Sequence, residues 1–181
     1  MPRPPLARER VLDAFEELVL TEGERAATIE ATAKAAGVSK GGLLYHFGSR
    51  DELVAGLLDR LETLTTRDLE RIIAAEEGPV AYYIRTSVME DDALDRALVT
   101  ASRLAQGGSA EAGDALRHAR HRWEDAIRPH VRDQTSLDLV MLVSDGLYFN
   151  NSLDVNGSEH VVPQNAQLAA LIDLVLSTTA P

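Results

Sequence analysis

An all-α fold is predicted for this 181-residue sequence by three observations. Apolar residues recur at helical intervals of three and four in one segment after another along the chain. Between those segments stand helix-start and helix-stop signals: Thr28, Ser49 with Glu52, Gly23, the Gly78-Pro79 pair and Gly107-Gly108-Ser109. The stretch from Thr28 to Leu53, TIEATAKAAGVSKGGLLYHFGSRDEL, writes two short helices joined by a glycine-containing turn and braced by a longer helix on either side. That is the layout of a helix-turn-helix DNA reader, and equally of a plain helical corner.

Bulk properties narrow the class. No apolar run approaches the roughly 20 residues that span a bilayer, and the opening MPRPPLARER has no signal-peptide core. The expectation is a soluble, cytoplasmic protein with no membrane association. Zero cysteines exclude disulfides and thiolate chemistry. The formal charge of −11 is unevenly spread. Residues 1–60 carry 8 Lys/Arg against 10 Asp/Glu, a net of −2, and the remainder carries 10 against 19, a net of −9. An N-terminal head near neutrality can bind a phosphate backbone through a few well-placed donors and helix N-termini.

Taken in order, Pro2, Pro4 and Pro5 read as a mobile arm carrying Arg3. Residues 7–21 place Val11, Leu12, Phe15, Leu18 and Val19 on one helical face, with Asp13, Glu16 and Glu17 on the outer face; Gly23 ends the helix. Thr28 is the N-cap of the next helix, in which Ile29, Ala31, Ala35 and Val38 can pack inward. A second short helix runs over 40–46. Its Gly41-Gly42 pair costs roughly 0.8 to 1 kcal/mol per residue in a helix interior, less near a helix start, and lets the backbone approach whatever the segment faces. Ser49 and Glu52 then form a capping box opening a helix to about residue 75, striped by Leu53, Val54, Leu57, Leu58, Leu61 and Leu64. At that length it spans about 38 Å, enough to join a head to a body.

Helices follow over 80–88, 91–106, 111–127, 136–151 and 164–178, with Pro129 an end or a kink and residues 154–163 a polar loop. The run Leu137, Leu139, Val140, Met141, Leu142, Val143 is apolar nearly all round and predicts burial on more than one side. Leu168, Leu171, Ile172, Val175 and Leu176 give the last helix a broad apolar face, so the late pair either fills the monomer core or packs against its copy in a twofold dimer.

With these residues in view, TIEATAKAAGVSKGGLLYHFGSRDELV, preceded by ARERVLDAFEELVLTEG, closely resembles the DNA-binding domain of the TetR family of transcriptional regulators. The resemblance implies a three-helix head over 1–48, a linking helix, and a helical ligand-binding and dimerisation body over 49–181 that dimerises through its last two long helices. It implies a ligand-responsive regulator, usually a repressor released from a palindromic double-stranded DNA operator by a small-molecule effector, working as a homodimer and needing no cofactor. Carried over by position, Thr28 and Arg50 resemble phosphate contacts. Ser39, Lys40, Gly41, Gly42, Leu43 and Tyr45 fall on the recognition helix, and His46 resembles the histidine that pins its end. Leu44 departs from the family, which commonly has an aromatic residue there; Thr32 replaces a larger aliphatic one. Leu43 is either core or a thymine-methyl contact.

For the effector, Tyr82, Trp123, Met141, Asp145, Tyr148 and Phe149 are the candidate lining, with Tyr83 as an alternative to Tyr82. A buried Asp145 needs a partner, such as a ligand amine or Arg103. Core packing with a structural bond to Asp145 explains the same residues. Asp114, His118 and His121 can be drawn as a metal trio, but Arg117, Arg120 and Arg122 crowd the same stretch, and a solvated face is the better account. With no phosphate-binding loop, dinucleotide fingerprint or HExxH, the chain is not expected to be an enzyme. A helical interaction or ligand-sensing module without operator binding stands as the rival to the DNA reader.

Overall fold

The computed structural model describes residues 4–88, 92–153 and 162–181. His160, most of the predicted 154–163 loop, the arm at Pro2 and Arg3, and the predicted start of a helix at Asp91 lie outside the described residues. Among those described the fold is all-α: α1 (Pro4–Glu22), α2 (Ile29–Ala35), α3 (Lys40–His46), α4 (Arg50–Ala74), α5 (Pro79–Thr86), α6 (Ala93–Gln106), α7 (Ala110–Ile127), a 3-10 turn (Arg128–His130), α8 (Gln134–Leu153) and α9 (Asn165–Thr179). It comprises a three-helix head, α1 to α3, and a C-terminal helical bundle. No described helix is long and apolar enough to cross a membrane.

Local chemistry sets the head's helix ends. Thr28 caps α2 by accepting from the Ala31 amide at 3.2 Å, and Ser39 caps α3 by accepting from the Gly42 amide at 3.0 Å. Between them the amide of Val38 bonds back to the Ala33 carbonyl at 3.0 Å, with Gly37 at φ +66°. That closure needs a left-handed residue just past the helix, which glycine adopts without a steric penalty. The box at α4 is realised in half. Ser49 Oγ accepts from the Glu52 amide at 3.1 Å, but the Glu52 carboxylate reaches one residue further back, to the Gly48 amide at 2.7 Å.

Two compact units are built from these helices. One combines α1 to α3 and α4 up to Leu64 with α6 and α7 up to His118. Its core holds Val11, Leu12, Phe15, Leu43, Leu53 and Leu57, all fully buried, and α6 adds Leu104. The other contains the rest of α4 and α7 with α5, α8 and α9, around Ile72, Ile84, Ile127, Leu137, Val140 and Met141.

The structure corrects several expectations. Pro4 and Pro5 belong to α1, since proline is well suited to a first helical turn where the missing N–H has no partner to lose. Glu16 does not face solvent: it is 5% exposed, with Arg96 Nε at 3.5 Å and Arg60 Nη1 at 3.8 Å from Oε2. Its outer face became an inner one when α4 and α6 packed alongside. In α2 and its turn, Thr32, Ala33 and Ala36 are buried and Ile29, Ala31 and Val38 pack against the same core, but Ala35, expected among them, is exposed. The α8 run is not enclosed on all sides: Leu137, Val140 and Met141 are buried, but Leu139 and Leu142 are 39% and 65% exposed.

Candidate nucleic-acid interface and effector region

Helix α3 is held by its inner residues and shows its outer ones. Leu43, 0% exposed, and Phe47, 3% exposed, enter the head core. This corrects the placing of Leu43 among DNA contacts, because a side chain sealed in the core touches no base. The exposed residues Lys40, Gly41, Leu44 and Tyr45 fall at i, i+1, i+4 and i+5, a single helical face. Tyr45 is 85% exposed, Leu44 37%, and the Tyr45 and His46 rings meet edge to face at 5.3 Å. A Cβ built on Gly41 would meet nothing within 4 Å, whereas one on Gly42 would meet the Ser39 hydroxyl at 3.2 Å. The fold's own packing therefore explains the absent side chain at Gly42 better than the one at Gly41.

The cations flanking this face already have partners. Lys40 Nζ lies 2.6 Å from Glu30 Oε1, both side chains mostly exposed, and the lysine holds the Glu30 carboxyl below its ordinary range. Arg50 Nη2 donates to Glu24 Oε1 at 3.0 Å and to the Glu24 carbonyl at 3.3 Å. Thr28 is exposed, and its cap uses the hydroxyl only as an acceptor, so the O–H is left to donate.

The effector candidates divide. Met141 is buried in the second core, with Tyr82 and Trp123 packed on it, and the Trp123 ring lies 6.2 Å from the buried Tyr83. Trp123 Nε1 donates to Asp68 Oδ2 at 2.9 Å, and burial pushes the Asp68 carboxyl above its ordinary range against that bond. Burial likewise pushes the Tyr83 phenol well up, while its hydrogen bond with Ser144 opposes the shift. Ser144 Oγ is 2.6 Å from Ser87 Oγ, and Ser87 donates to the Tyr83 carbonyl at 2.7 Å. Tyr148 is half-buried. Phe149, 62% exposed, faces outward and does not line an interior.

Asp145 is not buried: its side chain is 47% exposed and accepts from Arg120 Nη2 at 3.0 Å. Arg103 is not its partner, since it donates to the Val19 carbonyl at 3.1 Å and to that of Leu20. The drawn metal trio is not assembled either. Asp114 pairs with Arg117, His118 Nε2 lies 3.8 Å from Glu62, and no group of three or more His, Cys, Asp or Glu among the described residues is placed to hold a metal. Asp68, Glu24, Arg60 and Arg96 escaped sequence reading because their partners stand 26 to 79 residues away, beyond any helical spacing.

A capped helix-turn-helix with an exposed second helix, set in a three-helix head with an all-helical body beyond, defines a DNA-binding transcriptional regulator. Residues 11–57 match the family described as bacterial regulatory proteins, tetR family, and residues 77–175 match the tetracyclin repressor-like C-terminal domain. The chain belongs to the TetR family, whose members regulate transcription and are not enzymes. No curated protein matches it. Among solved structures it is similar to a transcriptional regulator from Rhodococcus sp. Rha1, at 23% identity and TM-score 0.66, covering 95% of this chain and 97% of that one. A protein from Streptomyces coelicolor A3(2) is 18% identical with TM-score 0.69, covering 97% and 99%. One from Saccharomonospora viridis, solved in complex with choline, is 18% identical with TM-score 0.68, covering 97% and 98%. At these identities the likeness shows the shared fold.

Proposed function

We propose that the protein is a homodimeric, sequence-specific repressor that places one α3 from each protomer into successive major grooves of a near-palindromic operator and lets go when a small molecule binds its body. Residues 1–48 serve as the DNA-binding head and residues 49–181 as the ligand-binding and dimerisation body. The observation that carries this reading is the outer face of α3. An exposed helix bearing Lys40, a 85%-exposed Tyr45 and a Gly41 that the protein's own packing does not require has the form of a surface made for close approach. Ser39, Gly42 and His46 shape and end that helix, and Thr28, Arg50 and Tyr45 supply phosphate donors.

Dimerisation through α8 and α9 is supported by the apolar side chains they leave outside a single chain: Leu142 at 65%, Phe149 at 62% and Leu174 at 61% exposed. For the effector, the half-buried Tyr82 and Trp123 supply aromatic surface and Asp68 a carboxylate, with Tyr83 and Met141 backing them from the core. That chemistry suits a small organic cation, as choline is in the Saccharomonospora viridis structure. Asp145 reaches such a ligand only by leaving Arg120.

Selection of bound duplexes from a random pool by the purified chain tests the reading. The expected product is an inverted repeat whose half-sites stand one helical turn apart, near 34 to 36 Å, or a multiple of it. A pool that gains no sequence bias would remove operator recognition and favour the interaction module.

A further inference from the structure

Arg50, a phosphate donor in the reading above, already holds an anion of its own chain. Both hydrogen bonds of its Nη2 go to Glu24, through Oε1 at 3.0 Å and the main-chain carbonyl at 3.3 Å, and the two side chains are 36% and 24% exposed. The Glu24 carboxylate is in turn seated against Gly107, the residue following α6. A Cβ built on Gly107 would coincide with Oε2 and stand 2.6 Å from Cδ. Gly107 is not among the glycines with positive φ, so its lack of a side chain is a matter of space for Glu24 and not of backbone conformation.

Helix α6 is fastened to the same part of the head. Arg103 donates to the Val19 and Leu20 carbonyls near the end of α1, and Arg96 Nη2 lies 2.7 Å from Glu17. Each member of the Arg50–Glu24 pair stands at a helix end that disfavours its charge: a cation in the first turn of α4, an anion beside the C-terminal end of α6. Each offsets the other's misplacement. A DNA phosphate offers Arg50 the same charge-assisted hydrogen bonds that Glu24 now provides.

We infer that Glu24 is an internal competitor for the phosphate that Arg50 binds, and that its seat against Gly107 ties the strength of this competition to the position of the α6–α7 turn. The inference rests on the DNA-binding reading above. Glu24 thus acts through Arg50 and is a positioning residue for DNA affinity.

The test uses the full chain, with Gly107→Ala and Glu24→Gln, and measures affinity for the selected operator and a scrambled duplex between 50 and 200 mM KCl. Gly107→Ala keeps both charges and removes only the seat. It is expected to tighten both duplexes alike and to steepen the salt dependence by up to about 0.9, the limit set by one phosphate contact, equivalent to at most about threefold more affinity lost across that range. Glu24→Gln is expected to do the same, and the double variant to add nothing. Tightening by Glu24→Gln alone would mean simple charge repulsion and overturns the seat. Weakening by either would mean that Glu24 presents Arg50 to DNA, which overturns the competition. If the unaltered chain binds DNA and both variants match it, the competitor role alone fails. If the unaltered chain binds neither duplex, the DNA-binding reading falls and takes this inference with it.

Discussion

The adjacent residues Leu43 and Leu44 give the sharpest test of how α3 is built. Leu43 is 0% exposed, and with Phe47 it anchors a helix of seven residues to the head. Truncation to alanine removes roughly three methylene equivalents, about 2.4 kcal/mol of transfer free energy. The cavity left in a close-packed core raises the cost to about 2.7 to 5 kcal/mol. Leu44, 37% exposed, leaves no closed cavity, and its partial burial limits the cost of Leu44→Ala to about 1.5 kcal/mol. Urea unfolding of both variants followed by fluorescence and circular dichroism, with operator affinity measured in parallel, separates the roles. Leu43→Ala is expected to lower the unfolding midpoint strongly and to lose operator binding as α3 detaches. Leu44→Ala is expected to change operator affinity more than stability. Equal destabilisation by the two substitutions, or a Leu43→Ala cost under 1 kcal/mol, would refute the assignment of inner and outer faces.

Three further outcomes follow from the charged and polar groups. Replacing Trp123 with Phe removes the donor to Asp68 and leaves a half-buried carboxylate without that hydrogen bond, which should cost about 1 to 3 kcal/mol in urea unfolding. Because burial raises the Glu16 carboxyl above 4.5, the folded chain holds its proton more tightly than the unfolded one. That contribution to stability is full below about 4.5 and is lost as pH rises through the raised value; melting curves of Glu16→Gln should show this slope flattened. At the DNA face, Lys40→Ala should weaken operator binding while Glu30→Gln, which frees Lys40 from its exposed pair, should strengthen it; filter binding at fixed low salt checks the opposite signs.

The legibility of this protein follows the range of the forces involved. Caps, turns and helix periodicity act over three or four residues, so the Thr28 cap, the glycine turn at Gly37 and the limits of α3 could be read directly. Glu16 could not. Along α1 it continues the polar face begun by Asp13, and only the approach of Arg60 and Arg96 from helices distant in sequence makes it an interior group. Asp145 failed in the opposite direction, since an apolar neighbourhood in sequence suggested burial and Arg120 instead pairs with it at the surface.

Helix spacing, capping hydroxyls and glycine conformations are local properties, so they specified an all-helical chain with two short helices near its start, and the resemblance to the TetR family made that pair a helix-turn-helix and not a plain corner. Tertiary structure alone decided which polar groups have partners. It placed Glu24 between Arg50 and Gly107, tied Trp123 to Asp68, and turned Leu43 inward while leaving Tyr45 in solvent. Such pairings depend on the packing of helices far apart in the chain, and a charge's role is set by which opposite charge that packing brings within hydrogen-bonding distance.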